Sequence, residues 1–183
     1  MAVTLREMMT GALVQLDRGA DAQTMEQWRD KLTRFLNDAL VDLAFELQLR
    51  RTDPLQLTGG TADTAELPRQ CVKVLSLRRD GVRYPFYYGA GTSKLHVPGL
   101  GDGPVEITYR YLPAVLDADT DAPEIPAQWH SAMVTYAVGR ERAAGDAASI
   151  QAAKVCFELY QAVKRSMRTH LGEAEAYRIV NAY

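Results

Sequence analysis

Apolar residues recur at helical spacing near both ends of the chain and alternate with polar ones in the middle. Thr4 and Glu7 have capping-box spacing, and Leu5, Met8, Met9, Ala12, Leu13 and Leu16 follow on one helical face. Gly19 is a natural stop, because glycine takes the left-handed geometry of a helix end. Thr24 and Gln27 repeat the capping spacing. A long amphipathic helix is predicted after them, with Met25, Trp28, Leu32, Phe35, Leu36, Ala39, Leu40 and Leu43 on its buried face. It runs to about Leu49, and Pro54 blocks its continuation.

Between residues 53 and 121 the apolar period drops toward two, and Pro and Gly become frequent. Residues 71–79 and 82–88 read as strands joined at Asp80-Gly81, a dipeptide that supplies the two positive-φ positions of a tight hairpin. Val105, Ile107, Tyr109 and Tyr111 alternate with Glu106, Thr108 and Arg110, as in a half-buried strand, and residues 95–97 read as another short one. Helices return at Pro126, which suits a first helical turn, whereas Ile125 before it is pushed toward extended geometry. Trp129, Met133, Tyr136 and Ala137 mark one apolar face. Gly145 and Asp146 make a short connection to a last helix carrying Ala153, Cys156, Phe157, Tyr160, Val163 and Met167, with Gly172 as its expected stop.

The predicted class is α+β. A mainly helical bundle is built from two N-terminal helices (1–52) and a C-terminal helical hairpin (122–172). A small antiparallel sheet or sandwich is inserted at 53–121, and a C-terminal arm follows at 173–183. Hydrophobic residues make up 47% of the 183, enough for a sizeable core, and charged residues 24%. The formal net charge of −2 argues against a dedicated nucleic-acid binder. The N-terminus has no apolar signal core and no apolar run approaches a membrane span, so no membrane partner is expected. Cys71 and Cys156 belong to no metal-type cluster and read as reduced thiols.

Asp117, Asp119 and Asp121 have the spacing of a calcium loop, but its sixth and twelfth positions hold Ala122 and Gln128 instead of Gly and Glu. An acidic solvated loop near a helix N-terminus is the reading that remains. GAGTSK, beginning at Gly89, lacks the spacing of a phosphate loop, and an extended segment follows it. His96, His130 and His170 have no paired metal-ligand spacing, and there is no GxSxG elbow. Neither a catalytic residue nor a metal or other cofactor is expected.

Two surface features invite a partner. Arg78, Arg79 and Arg83 surround the Asp80-Gly81 turn, either as a charged tip that discourages edge pairing or as a basic knob for an acidic partner. Ala132, Tyr136, Gly139 and Ala143 share a small-residue helix face. That face permits close packing either inside one chain or between subunits.

The run YRYLPAVLDADTDAPEIPAQWHSAMVTYAVGRERAAGD from residue 109 resembles head-to-tail adaptor (connector) proteins of tailed bacteriophages. The matching residues are Tyr111, Pro113, Asp121, Pro123, Ile125, Pro126, Trp129, His130, Tyr136, Ala137 and Gly145. LPRQCVKVLSLRRDG, from residue 67, resembles their strand and hairpin. The resemblance implies a structural virion protein made in the host cytoplasm. Such a protein forms a ring, usually of twelve copies, under the portal and joins it to the tail or the next connector. Genomic DNA passes its lumen without sequence-specific binding. The C-terminal segment is then a portal-docking arm, with Tyr177, Ile179, Val180 and Tyr183 as apolar anchors. Another virion connector or tail-completion subunit, or a small-ligand-binding α+β module, is the alternative.

Overall fold

The computed structural model describes residues 3–89 and 92–174, with side chains as far as Met167. Its two compact units are a helical one, Met1–Leu47 with Ala114–Tyr183, and an inserted β one, Gln48–Pro113. The fold is α+β.

The helical unit contains α1 (Leu5–Gln15), α2 (Ala22–Leu47), α3 (His130–Arg142) and α4 (Ala147–Ala174). Thr4 and Glu7 form the expected capping box on α1, with the Glu7 N–H donating to Thr4 Oγ1 and the Thr4 N–H to Glu7 Oε2. That helix stops before Gly19: Leu16 caps it and Asp17 takes the left-handed conformation, at φ 56°. The cap of α2 also differs from expectation. Asp21 accepts the Thr24 N–H at 3.0 Å, so the helix begins one turn earlier than a Thr24 cap allows.

α3 packs against all three other helices. Buried residues therefore occupy more than one of its faces: Ala132, Met133, Val134, Ala137, Val138 and Gly139. A short 3-10 turn, Ala127–Trp129, lies between Pro126 and this helix. Asp146 accepts the Ser149 N–H at the start of α4, which continues past Gly172.

The β unit begins where α2 ends. Gln48 is left-handed, at φ 51°, and β1 (Arg50–Leu57) follows directly, with Pro54 inside the strand instead of ending a helix. Proline is tolerated there because β1 is an edge strand. The other strands are β2 (Thr61–Asp63), β3 (Cys71–Arg79), β4 (Val82–Tyr84), β5 (Tyr87–Tyr88), β6 (Lys94–His96) and β7 (Gly103–Tyr111). They form two antiparallel sheets, ordered β1-β7-β3-β4 and β2-β6-β5. Leu57, Val74, Leu77, Leu95, Val97, Val105, Ile107 and Tyr109 share one core. Asp80 and Gly81, at φ 52° and 79°, make the hairpin turn the sequence predicts. Gly59 and Gly60, at 59° and 72°, make a second tight turn between β1 and β2.

Candidate functional site

The acidic loop before α3 is a structural clasp. Asp121 turns its carboxylate onto the N–H groups of Asp117 and Ala118, each at 2.9 Å, and these hydrogen bonds hold its pKa below the ordinary carboxylate range. The carbonyls of Asp121 and Asp119 accept the Leu5 and Arg6 N–H groups, two of the donors α1 cannot satisfy internally. Asp119 pairs with Arg29, whose guanidinium also reaches the Asp117 carbonyl. The acidic stretch thus serves the N-terminus of α1, not that of α3.

Asn37 extends the clasp. It donates to the Leu116 carbonyl at 2.9 Å and accepts the Leu116 N–H at 2.8 Å. His130 is a buried staple in the same region. Its Nδ1 accepts the Val3 N–H at 3.4 Å, which leaves Nε2 to donate to the Ile125 carbonyl at 3.0 Å. The PEIP-to-Trp-His stretch therefore fastens the N-terminus of the chain to the start of α3.

Two buried polar networks had no sequence motif to announce them. In the helical unit, Lys164 lies almost fully buried between Asp42, at 2.8 Å, and Glu46, at 3.2 Å, while the Tyr160 hydroxyl donates to Asp42 at 2.7 Å. Burial lowers the ammonium pKa, but the hydrogen bonds and charges of Asp42 and Glu46 outweigh it and leave Lys164 raised. In the β unit, the fully buried Tyr109 donates to Asp53 at 2.7 Å, and Arg51 pairs with the same carboxylate at 2.5 Å. The Arg51 hydrogen bond holds the Asp53 pKa down, and burial pushes the Tyr109 hydroxyl far up. Both networks join residues far apart in sequence and fix helix and strand positions.

The surface residues singled out from sequence divide. Arg79 folds back, donating from Nε to the Pro104 carbonyl and from Nη1 to the Gly101 carbonyl. Arg83 reaches the Leu75 carbonyl, and Arg78 lies exposed beside it, opposite Glu106 on β7. An open cleft of about 340 Å³ beside the turn is lined by Pro54, Arg78, Arg79, Asp80, Pro104 and Glu106. Arg79 and Arg83 thus each reach backbone carbonyls, and Arg78 and Arg83 are the more exposed of the three.

Gly139 answers a packing need inside the chain. A Cβ there would meet Cys156 Cβ at 3.0 Å and the Phe157 ring at 3.2 Å on α4. Ala132 is buried, and Tyr136 packs edge-on to Phe157 and tilted against Tyr160. Of that face only Ala143 is exposed. Tyr177, Ile179, Val180 and Tyr183 lie outside the described residues.

Among the described residues no group of three or more His, Cys, Asp or Glu is placed to hold a metal, and no helix is long and apolar enough to cross a membrane. Cys71 and Cys156 are free thiols, and burial pushes the Cys71 thiol up. Gly89 donates to the Lys94 carbonyl, so its segment closes a β-hairpin between β5 and β6.

The family model described as SU10 adaptor protein matches residues 3–181, nearly the whole chain. The chain belongs to the SU10 adaptor family. No curated protein matches it significantly. The SU10 adaptors are a structural family of phage head-tail proteins, not a family of enzymes, so the chain is a virion component whose partners are other head-tail proteins. The adaptor's clasp, staple and buried networks hold its helices and strands in place.

Proposed function

We propose that this adaptor forms a ring, of twelve copies, beneath the portal, joins the capsid to the tail or the next connector, and extends the DNA channel. The observation that carries the reading is the family match over residues 3–181. The protein is made in the host cytoplasm and becomes part of the virion at the head-tail interface. DNA passes without sequence-specific contacts. In this reading Arg78, Arg79 and Arg83 at the hairpin tip dock on an acidic partner surface, and Arg79 also braces the tip itself. The arm carrying Tyr177, Ile179, Val180 and Tyr183 docks on the portal.

Light scattering of the purified chain, with and without portal, tests the ring. The expected result is a particle of defined mass corresponding to twelve copies, alone or on the portal. A chain that stays monomeric in both conditions refutes it. Removal of residues 175–183 is expected to preserve folding and abolish portal binding, and unchanged binding rejects the arm. Serine at Arg78 and Arg83 is expected to weaken partner binding in a manner sensitive to salt. Unaltered binding rejects the tip.

A further inference from the structure

The inner face of α4 is used by Ala153, Tyr160, Lys164 and Met167, all buried. A second line runs along its outside: Ala148, Ala152, Val155, Leu159, Ala162 and Ser166. Their separations alternate four, three, four, three, four, which is the spacing of a seam made to receive another helix. None of the six is charged. Val155 and Leu159 at its centre are 55% and 57% exposed, and alanines flank them on both sides. A solvated helix face carries charge; this one does not.

The chain carries a candidate occupant on a different helix. Arg34, Asp38, Val41 and Phe45 lie along the outside of α2 with separations of four, three and four. Phe45 is 56% exposed, and Val41 is exposed beside it. The faces complement one another in size. The bulky Phe45 needs a shallow position opposite, and Ala152 and Ala162 provide one on either side of the Val155–Leu159 pair. Asp42, one residue from Val41, joins Lys164 on the inner side of α4, so the outward α2 row lies apart from the contact the two helices already make.

We infer that the outer seam of α4 receives the Val41–Phe45 face of α2 from a second copy of this chain. The inference rests on the ring reading and names the surfaces that build it. The contact joins two different surfaces, so each copy keeps one of each free and the assembly propagates until it closes. Area sets how it assembles. The seam covers 18 residue steps, about 27 Å at 1.5 Å per residue, on a helix roughly 10 Å wide. One contact therefore covers on the order of 300 Å² per copy, below the roughly 800 Å² per partner of a stable pair. Isolated dimers are not expected to accumulate, whereas a closed ring satisfies both surfaces of every copy.

Single-cysteine chains test the pairing, with Cys71 and Cys156 replaced by Ala and a short bismaleimide as cross-linker. Phe45→Cys chains mixed with Leu159→Cys chains are expected to cross-link under ring-forming conditions, and neither variant with itself. A Val155→Glu/Leu159→Glu chain is expected to keep its helical circular dichroism and lose the ring. Leu159→Cys chains that cross-link to each other overturn the pairing in favour of a symmetric one. A wild-type ring that survives the double glutamate variant overturns the interface and leaves the ring reading standing. A wild-type chain that makes no ring, with or without portal, overturns both.

Discussion

The Tyr109→Phe substitution removes one oxygen from the middle of the β unit and leaves the packing volume unchanged. Tyr109 is wholly buried, and its hydroxyl donates to Asp53 Oδ2 at 2.7 Å. A hydrogen bond to a charged acceptor contributes about 1.5–3 kcal/mol, and losing one partner leaves the acceptor under-satisfied. Arg51 still holds the same carboxylate, so the expected loss lies near the middle of that range, about 2 kcal/mol. Hydrogen exchange of the β1 and β7 amides reads this loss within the β unit, where those strands pair directly. The pH dependence supplies a second reading. Hydrogen bonds from Arg51 and Tyr109 hold the folded-state pKa of Asp53 below its unfolded value of about 3.9. The stabilisation is therefore present above that value and is lost as pH falls through the folded-state pKa. The phenylalanine variant keeps only the Arg51 share, so its deficit is largest near neutral pH and shrinks in acid. A deficit under about 0.5 kcal/mol, or one that grows in acid, refutes the reasoning.

Three further substitutions separate scaffold from surface. Lys164→Met strands the Asp42 and Glu46 carboxylates. Thermal unfolding is expected to show a loss of about 2 kcal/mol, below the 3–5 typical of a fully buried pair because Asp42 is partly solvated. Gly139→Val forces α3 and α4 apart at Cys156 and Phe157 and is expected to cost about 2–3 kcal/mol of overpacking, read as a lowered Tm. Arg79→Ala is expected to cost about 1 kcal/mol of stability through its lost bonds to Gly101 and Pro104, whereas Arg78→Ser is expected to leave urea unfolding unchanged.

Local chemistry made most elements legible in the sequence, and long-range partners decided what was not. The Asp80-Gly81 turn, the alternation of β7 and the Thr4 box each rest on neighbouring residues, so each is plain in the sequence. Gly59-Gly60 carries the same kind of turn signal, but a strand before it is hard to expect from local pattern because Pro54 lies within it, and proline suits a strand only at a sheet edge. The small-residue face around Gly139 was visible, but its partner on α4 was not, since sequence does not say which helix approaches. Asp53 with Tyr109, and Asp42 with Lys164, lie 56 and 122 positions apart and join only through the fold. Asp21 took the cap expected of Thr24 because Asp is at least as good a cap and stood three residues earlier.

The net charge of −2 conceals an uneven distribution. The β unit, 48–113, holds nine Lys and Arg against six Asp and Glu, a net of +3, and the helical remainder holds twelve against seventeen, a net of −5. Much of the positive charge lies on one side of the larger sheet. Arg50 stands opposite Arg110 and Arg110 opposite Lys73, a like-charged row across β1, β7 and β3. Thr52, Thr108 and Ser76 form the next row, and Arg78 continues beyond it beside Glu106. Basic groups interleaved with hydroxyls are phosphate-contacting chemistry. Every phosphate neutralised by such groups adds affinity and steepens the salt dependence of binding. On the proposed ring reading, sliding DNA requires this face to be turned away from the lumen and covered by a partner. A ring assembled with its head-tail partners, so that this face is covered, is expected to show weak retention of duplex DNA, with little change between 50 and 200 mM salt, the range over which a handful of phosphate contacts costs about 10³-fold or more. Strong, steeply salt-dependent binding that disappears in a Lys73→Ser/Arg78→Ser chain places the sheet in the channel instead, and the adaptor then grips its DNA rather than letting it pass.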